Sequence, residues 1–383
     1  MKLVPVCAVV ITCAMTVGCR HTDDPVMATR VAQLAPQPVR QIVQQAKADP
    51  PKKPWYTVQA LNINGQMLRS DTSIFVYNDL GQAIVESSAS FWQAGVSTPL
   101  QVPDGGRDCH VIGLNNQGQV LLNTSHGSFL WKEGRTVRVA DSAGKPFLAA
   151  AINNHGEMVG QVETAWTRPV GGDMVGTMHA QHAHLLRDGR FTDLGAFPTQ
   201  SDDSVAKAIN DHGQVVGTDR GHLFSWQEGK MINIAPLPGY YDAVPVAVNN
   251  LGQVAGACHG SEGHWASAYQ EPFLWEHGAM RDLGTLPDCS QTSVRGLNDK
   301  GDVIGNVYFV PNQHNRSNIP LLWHSGKIYD LNDLVPKQVG FRLTVPFAIN
   351  NRGQIIARGY ANAPAPGLAE NDSAQLFLLS PVH

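Results

Sequence analysis

The sequence predicts an all-β protein, a β-propeller of about seven four-stranded blades, from three observations. A phrase of apolar residues, Asn-x-x-Gly and a second apolar run recurs along the chain, most cleanly over Ala208–Gly217. An apolar strand that ends in Trp-x-x-Gly, such as Phe224–Gly229, follows most copies. Successive copies, such as those at Asn115 and Asn153, are about 40 residues apart, which is the period of one propeller blade.

Each copy of the first phrase is predicted to be a tight β-hairpin. Asn can bond the backbone two residues on, the middle pair suits a type I turn, and Gly takes the left-handed conformation that closes it. We assign this turn role to Asn115, Gly118, Asn153, Gly156, Asn210, Gly213, Asn249, Gly252, Asn298, Gly301, Asn350 and Gly353. The Trp-x-x-Gly phrase is predicted to do the same for a second hairpin. One unit therefore has four strands, A to D.

Seven full units are predicted, and they begin at Asn78, Asn115, Asn153, Asn210, Asn249, Asn298 and Asn350. Six or eight blades, or a β-repeat array that is not a propeller, are the alternatives. Asn62 is an extra copy that either begins a truncated blade or pairs with the C-terminal strand at 375–379, whose unit lacks a strand D. Closing the ring with strands from both termini would remove an exposed sheet edge.

The two phrases together resemble the bacterial extracellular repeat, HAF family, named for its His-Ala-Phe motif. His222–Trp226 and His182–Leu186 each match that motif in part, and the resemblance covers roughly residues 56–380. The resemblance implies an exported β-repeat protein and brings no catalytic residues with it.

The N-terminus is predicted to direct export. Residues 1–19 read as a lipoprotein-type signal peptide, with one Lys, an apolar run and a Gly-Cys ending that makes Cys19 the lipidated residue. An ordinary cleaved signal and an uncleaved anchor are the alternatives. Residues 20–54 are a Pro-, Gln- and Ala-rich tether, and 55–383 form the propeller. We expect a lipid-anchored protein of the bacterial envelope that faces the periplasm or the cell surface, or else a secreted one.

Composition agrees with many short strands and excludes one class of partner. Charged residues are 16% of the chain, below the roughly 25% of typical soluble domains. The net charge of −4 has no basic excess, so we expect no nucleic-acid binding. Cys109, Cys258 and Cys289 follow the leader, which allows one disulfide at most. We expect a monomer.

The candidate binding surface is the face that carries the B–C connections. These connections are short in the units of Asn115 and Asn210 and long in those of Asn153, Asn249, Asn298 and Asn350. Aromatic and polar side chains in them suit a glycan or an extended peptide. The candidate binding residues are Trp166, Arg168, His179, His264, Trp265, Tyr269, Tyr308, Arg316 and Tyr360.

We therefore expect a membrane-tethered, non-enzymatic propeller that binds an envelope protein or a glycan through this face. The alternatives are a propeller lyase or hydrolase of polysaccharide, a purely structural envelope component, and loop tips that bind nothing. No catalytic motif of the common hydrolases, metalloproteases or phosphate-binding enzymes occurs, so catalytic residues stay unassigned.

No metal or cofactor site is assigned. The His179, His182 and His184 cluster suggests a metal, but strand C of the repeat already accounts for two of these residues. Asn298–Asp302 resembles a calcium loop, yet the other copies carry Gln or Glu at the last position, which favours a turn. His155 and His212 are expected to face solvent in the repeat turns, and the Trp residues of the second phrase are expected in the core.

Overall fold

A computed structural model describes residues 45–63, 66–67, 76–85, 90–102, 109–140, 147–171, 174–197, 203–261, 270–287, 289, 291–307, 318–337, 340–361 and 374–382. All of them belong to one compact unit, Ile42–His383. The other unit, Met1–Gln41, lies outside the described residues, and so do the predicted leader and Cys19. Within the described part of the chain, no helix is long and apolar enough to span a membrane.

Seven antiparallel sheets form the blades of a β-propeller, which confirms the predicted fold and blade number. The first blade has three strands, and Tyr77 adds the inner fourth through a bridge to Ala83. Its strands are β4 (Gln82–Val85), β5 (Ser90–Gln93) and β6 (Val96–Pro99). Blade 2 contains β7 (His110–Leu114), β8 (Val120–Thr124), β9 (Gly127–Lys132) and β10 (Arg135–Val139). Blade 3 contains β11 (Phe147–Ile152), β12 (Met158–Gly171), β13 (Met174–Arg187) and β14 (Arg190–Gly195).

The next blades repeat the same A-B-C-D order. Blade 4 contains β15 (Val205–Ile209), β16 (Val215–Asp219), β17 (His222–Gln227) and β18 (Lys230–Ile234). Blade 5 contains β19 (Tyr240–Val248), β20 (Val254–Ser261), β21 (Gln270–Glu276) and β22 (Ala279–Asp282). Blade 6 contains β23 (Thr292–Leu297), β24 (Val303–Val307), β25 (Ile319–His324) and β26 (Lys327–Asp330), followed by the short helix α1 (Leu331–Leu334).

Blade 7 joins the two ends of the described chain. It contains β27 (Phe341–Ile349), β28 (Ile355–Ala361), β29 (Ala374–Pro381) and, as its outer strand D, β1 (Tyr56–Ala60). The predicted closure by both termini is therefore confirmed, but the closing strand is not at Asn62. Asn62 lies in a separate hairpin of β2 (Asn62–Ile63) and β3 (Gln66–Met67).

The Asn-x-x-Gly turns have the predicted geometry. In blade 4, Asn210 Oδ1 accepts the His212 N–H at 3.0 Å, and Gly213 N–H donates to Asn210 O at 3.1 Å. Gly213 has φ 72°, so the turn needs the left-handed conformation that Gly tolerates. Asn298 and Asp302 form the same turn, since Asn298 Nδ2 donates to Asp302 Oδ2 at 3.1 Å. His155 and His212 are exposed, as expected.

The C–D turns differ from the prediction that they repeat the A–B geometry. Arg135 pairs directly with Lys132, which leaves a two-residue loop, Glu133 and Gly134, with φ of 50° and 81°. Positive φ at both positions is the type I′ geometry, whose twist matches that of the flanking strands. Trp-x-x-Gly is therefore a tighter hairpin than Asn-x-x-Gly, and it contains no bulge.

Close packing between blades explains the residues before each turn Asn. A Cβ added to Gly113 would lie 2.9 Å from Cγ2 of Ile152 in the next blade, and one at Gly296 would lie 3.2 Å from Ile349 Cγ2. Such close approach favours small residues, in agreement with the Gly or Ala that stands two residues before six of the seven turn asparagines. Trp92, Trp131, Trp226 and Trp323 of strand C are buried in the core, as expected, and Trp275 is half-buried and packs against it.

The end of the predicted tether packs on the propeller. Gln45 N–H donates to Thr285 O at 2.9 Å, and Ala48 N–H donates to Ile328 O at 2.8 Å. Lys47 Nζ lies 2.6 Å from Oδ2 of Asp333, a residue of α1. Burial would raise the pKa of Asp333, but its bonds to Lys47 and Lys337 lower the pKa overall. Residues at the end of the predicted tether therefore contact blade 6 and α1.

Candidate functional site

The two faces of the propeller differ in the length of their connections. Because successive strands reverse direction, the A–B and C–D turns share one face, which we call the turn face. The B–C connections share the other, which we call the insertion face, and the predicted long ones follow β12, β20, β24 and β28. The loops after β8 and β16 are short, since Thr124 pairs with Gly127 and Asp219 pairs with His222. Length variation is therefore confined to the insertion face.

A closed ring of seven hydrogen bonds links the blades at the turn face. The Nδ2 of each turn Asn donates to the backbone oxygen of the equivalent Asn in the next blade. The distances run from 2.9 to 3.4 Å, in the order Asn78, Asn115, Asn153, Asn210, Asn249, Asn298, Asn350 and back to Asn78. Each Asn thus forms its own turn with Oδ1 and joins its neighbour with Nδ2. Only the turn role was predictable from the sequence.

A second ring involves the residue after each turn Asn. Its backbone N–H donates to Oδ1 of the equivalent side chain in the next blade, at 2.7 to 3.0 Å around the whole circle. The members are Asp79, Asn116, Asn154, Asp211, Asn250, Asp299 and Asn351. They were not among the predicted residues, although Asn or Asp recurs directly after each turn Asn in the sequence.

The three carboxylates of the second ring are never adjacent. Asp211 Oδ2 accepts from Asn154 Nδ2 at 2.9 Å and from Asn250 Nδ2 at 3.1 Å, so amide donors flank it on both sides. Separating like charges around the ring avoids repulsion between neighbouring carboxylates. The rings border an open cavity of about 270 Å³. Since ring members already bond one another, we interpret the turn face as the part that holds the blades together.

Three of the predicted binding residues lie in a strand hairpin of the insertion face and not in a loop. β12 and β13 pair from Met158 with Leu186 to Gly171 with Met174, a long hairpin in place of the predicted loop. Trp166 pairs with Met178, Arg168 with Gly176, and His179 with Ala165. The loop prediction is wrong here because the added residues continue the ladder of the blade. A binding role for these residues stays a prediction.

The other predicted residues divide into two groups. Tyr360 lies in β28 and pairs with Arg342, so it is at the root of the insertion and not within it. The remaining predictions fall outside the described residues and are His264, Trp265, Tyr269, Tyr308 and Arg316.

Blade 7 presents two arginines at this root. Arg342 is exposed, while Arg358 and Tyr360 are half-buried. The guanidinium carbon of Arg358 is 5.6 Å from the centre of the Phe347 ring, a cation–π arrangement. Arg358 Nε is buried and has no hydrogen-bond partner. Tyr360 was among the predicted binding residues of this region, but neither arginine was.

Blade 5 places titratable residues at the root of its own insertion. Asp242 and His259 are opposite one another on β19 and β20, and Tyr240 Oη lies 3.2 Å from Glu271 Oε2. Burial lowers the pKa of His259, and the charge of Asp242 opposes that effect. The imidazole is therefore held towards its neutral form at the edge of the insertion.

The histidine cluster of blade 3 has a structural explanation. His182 Nδ1 lies 2.9 Å from Asp193 Oδ2, and His184 Nδ1 lies 3.0 Å from the backbone oxygen of His182. Asp193 Oδ1 also accepts the Gly195 N–H at 2.8 Å. The partially matched His-Ala-Phe motif and the following Asp-Leu-Gly are thus joined across strands C and D. Among the described residues, no group of three His, Cys, Asp or Glu is arranged to hold a metal.

We expect Asp193→Asn to remove part of the acid sensitivity of the fold. Burial would raise the pKa of Asp193, but the bonds from His182 and Gly195 lower it below its usual 3.8 overall. The ionised carboxylate of Asp193 therefore stabilises the folded state fully above pH 3.8, and this contribution is lost as pH falls through the lowered pKa. Melting temperatures are measured between pH 7 and pH 3. Wild type should melt at a higher temperature than the variant at pH 7, and the difference should shrink as pH approaches 3.

The matched control is Asp188→Asn, which changes an exposed carboxylate in the C–D turn of the same blade. Its melting curve should follow wild type throughout. If the Asp193→Asn curve also runs parallel to wild type down to pH 3, the pair with His182 does not contribute to stability.

Cys109, Cys258 and Cys289 are present as thiols, so the one disulfide that the sequence allowed does not form among these three residues. Cys258 and Cys289 are buried, and Leu237 N–H lies 3.5 Å from Cys258 Sγ.

Comparison with known proteins shows similarity in structure only. No family model and no curated protein matches the sequence. The extracellular domain of a hybrid two-component system from B. thetaiotaomicron is similar at 10% identity and a TM-score of 0.47 over 84% of this chain. This chain spans 39% of that one.

Two further solved structures are similar at comparable levels. Porphyromonas gingivalis dipeptidyl peptidase 4 has 12% identity and a TM-score of 0.41, over 87% of this chain and 52% of its own. The β-propeller domain of the Trilobed protease from Pyrococcus furiosus has 9% identity and a TM-score of 0.45, over 76% of this chain and 97% of its own.

Proposed function

We propose that this protein is a non-enzymatic binding propeller of the bacterial envelope, anchored by a lipid on Cys19, that takes a glycan or a protein on its insertion face. It acts as a monomer and belongs with the extracellular HAF repeat proteins. One observation carries the proposal: the turn face is joined by two closed rings, whereas every variable connection is on the opposite face. Rigid repeat scaffolds place recognition on such variable loops.

The long hairpin of blade 3 supports the same surface. β12 and β13 continue their pairing from the core residues Val159 and Leu185 out to Gly171 and Met174. An extension of this length adds no residue to the turn face and enlarges the insertion face alone. The hairpin contains Trp166 and Arg168, and aromatic residues and arginine are common in ligand-binding surfaces.

Combined replacement of Trp166, Trp265 and Tyr308 by Ala is expected to weaken binding to envelope material at least tenfold, since three contact side chains each contribute about 1 kcal/mol or more. Binding is measured by pull-down of cell-wall glycans and envelope proteins with the full chain. The melting temperature should stay at the wild-type value. The control is His212→Ala on the turn face, which should bind as wild type does.

The proposal fails if the unmodified protein retains no envelope component, or if the triple variant binds as well as wild type. Release of soluble products from the polysaccharide during the same assay would replace it with the enzymatic alternative.

A further inference from the structure

Three side chains share one face of blade 7 at the insertion end. Arg342 and Tyr360 are direct partners on β27 and β28, and Arg358 is two residues before Tyr360 on β28. Cross-strand partners and residues two apart on a strand point to the same side of a sheet. We call Arg342, Arg358 and Tyr360 the arginine face.

The arginine face is on the side of blade 7 that packs against blade 1. Ile356, which is two residues before Arg358, lies in the same cluster as Tyr77, Ala83 and Trp92 of blade 1. Towards the turn face this contact is a closed apolar core. Towards the insertion face, the core gives way to the two guanidinium groups and the phenol ring of Tyr360.

The positive charge here lacks a carboxylate counterpart in the described structure. No described carboxylate forms an ion pair with Arg342 or Arg358. The Nε of Arg358 is buried and makes no hydrogen bond. A buried polar group without a partner destabilises a fold, and the cost is larger when the group is charged. A guanidinium group with an unpartnered Nε, next to a second arginine on the same face, suits an anionic ligand.

We propose that the arginine face binds the carboxylate groups of an acidic glycan. The planar guanidinium matches a carboxylate through paired N–H donors, and Arg358 is already oriented by its stacking on Phe347. The ring of Tyr360 offers an apolar surface with a polar tip beside those donors, which suits a sugar ring better than a flexible acidic peptide. This inference rests on the proposed function and names its ligand.

Isothermal titration calorimetry of the full chain with oligogalacturonate tests the inference, and its methyl ester is the uncharged comparison. Wild type is expected to bind the acid at least tenfold more tightly than the ester. Arg342→Gln and Arg358→Gln should each lower affinity for the acid about tenfold or more, since a hydrogen bond between charged groups contributes about 1.5–3 kcal/mol. Arg352→Gln, which removes an exposed arginine from the turn of the same blade, should bind as wild type.

Arg342 is exposed, so Arg342→Gln is expected to fold even if Arg358→Gln does not. Equal affinity for acid and ester, or an unchanged affinity in Arg342→Gln, overturns the inference. Preferential binding of poly-glutamate overturns the glycan assignment. A wild-type protein that retains envelope material but not oligogalacturonate contradicts this inference alone, whereas one that retains neither also contradicts the proposed function.

Discussion

Asn210→Ala is expected to lower the free energy of unfolding by about 3 kcal/mol or more. The side chain is buried, and its Oδ1 accepts the N–H groups of His212 and Gln214 at 3.0 and 2.9 Å. Its Nδ2 donates to Asn249 O at 2.9 Å and to Gln214 Oε1 at 3.1 Å. Alanine removes this hydrogen-bond partner from the N–H groups of His212 and Gln214 and from Gln214 Oε1. It also opens the inter-blade ring at one point, where Asn249 O keeps only the Gly252 N–H at 3.0 Å.

Two other variants of the same turn separate the roles of Asn210. In Asn210→Ser the hydroxyl still accepts a local N–H but is too short to reach Asn249, so an intermediate loss is expected. In His212→Ala an exposed side chain is removed, and the change should stay within about 0.5 kcal/mol. Calorimetric melting of the three variants provides the comparison. If Asn210→Ala melts together with His212→Ala, the ring does not hold the blades together.

Tyr56→Ala is expected to lower the free energy of unfolding by about 3–5 kcal/mol, the range for large aromatic side chains removed from a core. Tyr56 is 6% exposed and begins β1, the strand that closes the ring. It packs with Leu331, Leu334 and Leu379, which belong to α1 and β29. Loss of this side chain weakens the attachment of β1, and release of β1 would expose the edge of β29 to pairing with other chains.

The control for Tyr56 is its neighbour on the same strand. Thr57→Ala removes only an exposed hydrogen bond, from Thr57 Oγ1 to Ser380 O at 3.2 Å, so a change below about 1 kcal/mol is expected. Limited proteolysis should cleave Tyr56→Ala within β1 under conditions where wild type and Thr57→Ala stay intact. A Tyr56→Ala protein that resists proteolysis and melts as wild type does would show that blade 7 needs no N-terminal strand.

The repeat turns were predictable because their chemistry is local. An Asn two residues before the N–H that it binds, and a Gly at positive φ, lie within one short phrase, so the phrase alone indicates the hairpin. The blade number followed from the count of phrases. The C–D turns were assigned less well because the sequence does not show how Trp131 and Glu133 are placed relative to the partner strand, and pairing of Lys132 with Arg135 decides the type I′ geometry.

Features that depend on contacts between blades, or on the register of two strands, were not predictable from single phrases. The Nδ2 of Asn78 and the backbone oxygen of Asn115 are in separate units, and they meet only once the ring exists. The extra residues of blade 3 look like a loop until β12 and β13 pair along their whole length. Arg342 and Arg358 have no shared motif, and the register of β27 and β28 brings them to one face with Tyr360.

Turn chemistry and alternating apolar residues act over a few neighbouring residues, so the hairpins, the four-stranded unit and the number of units follow from the amino-acid sequence. Three features depend instead on the three-dimensional arrangement: Tyr56–Ala60 closes the ring, seven asparagines bind one another in a circle, and two arginines share a face. The first two features join residues that are far apart in the chain and meet only when the ring closes, whereas the register of β27 and β28 places the two arginines on one face.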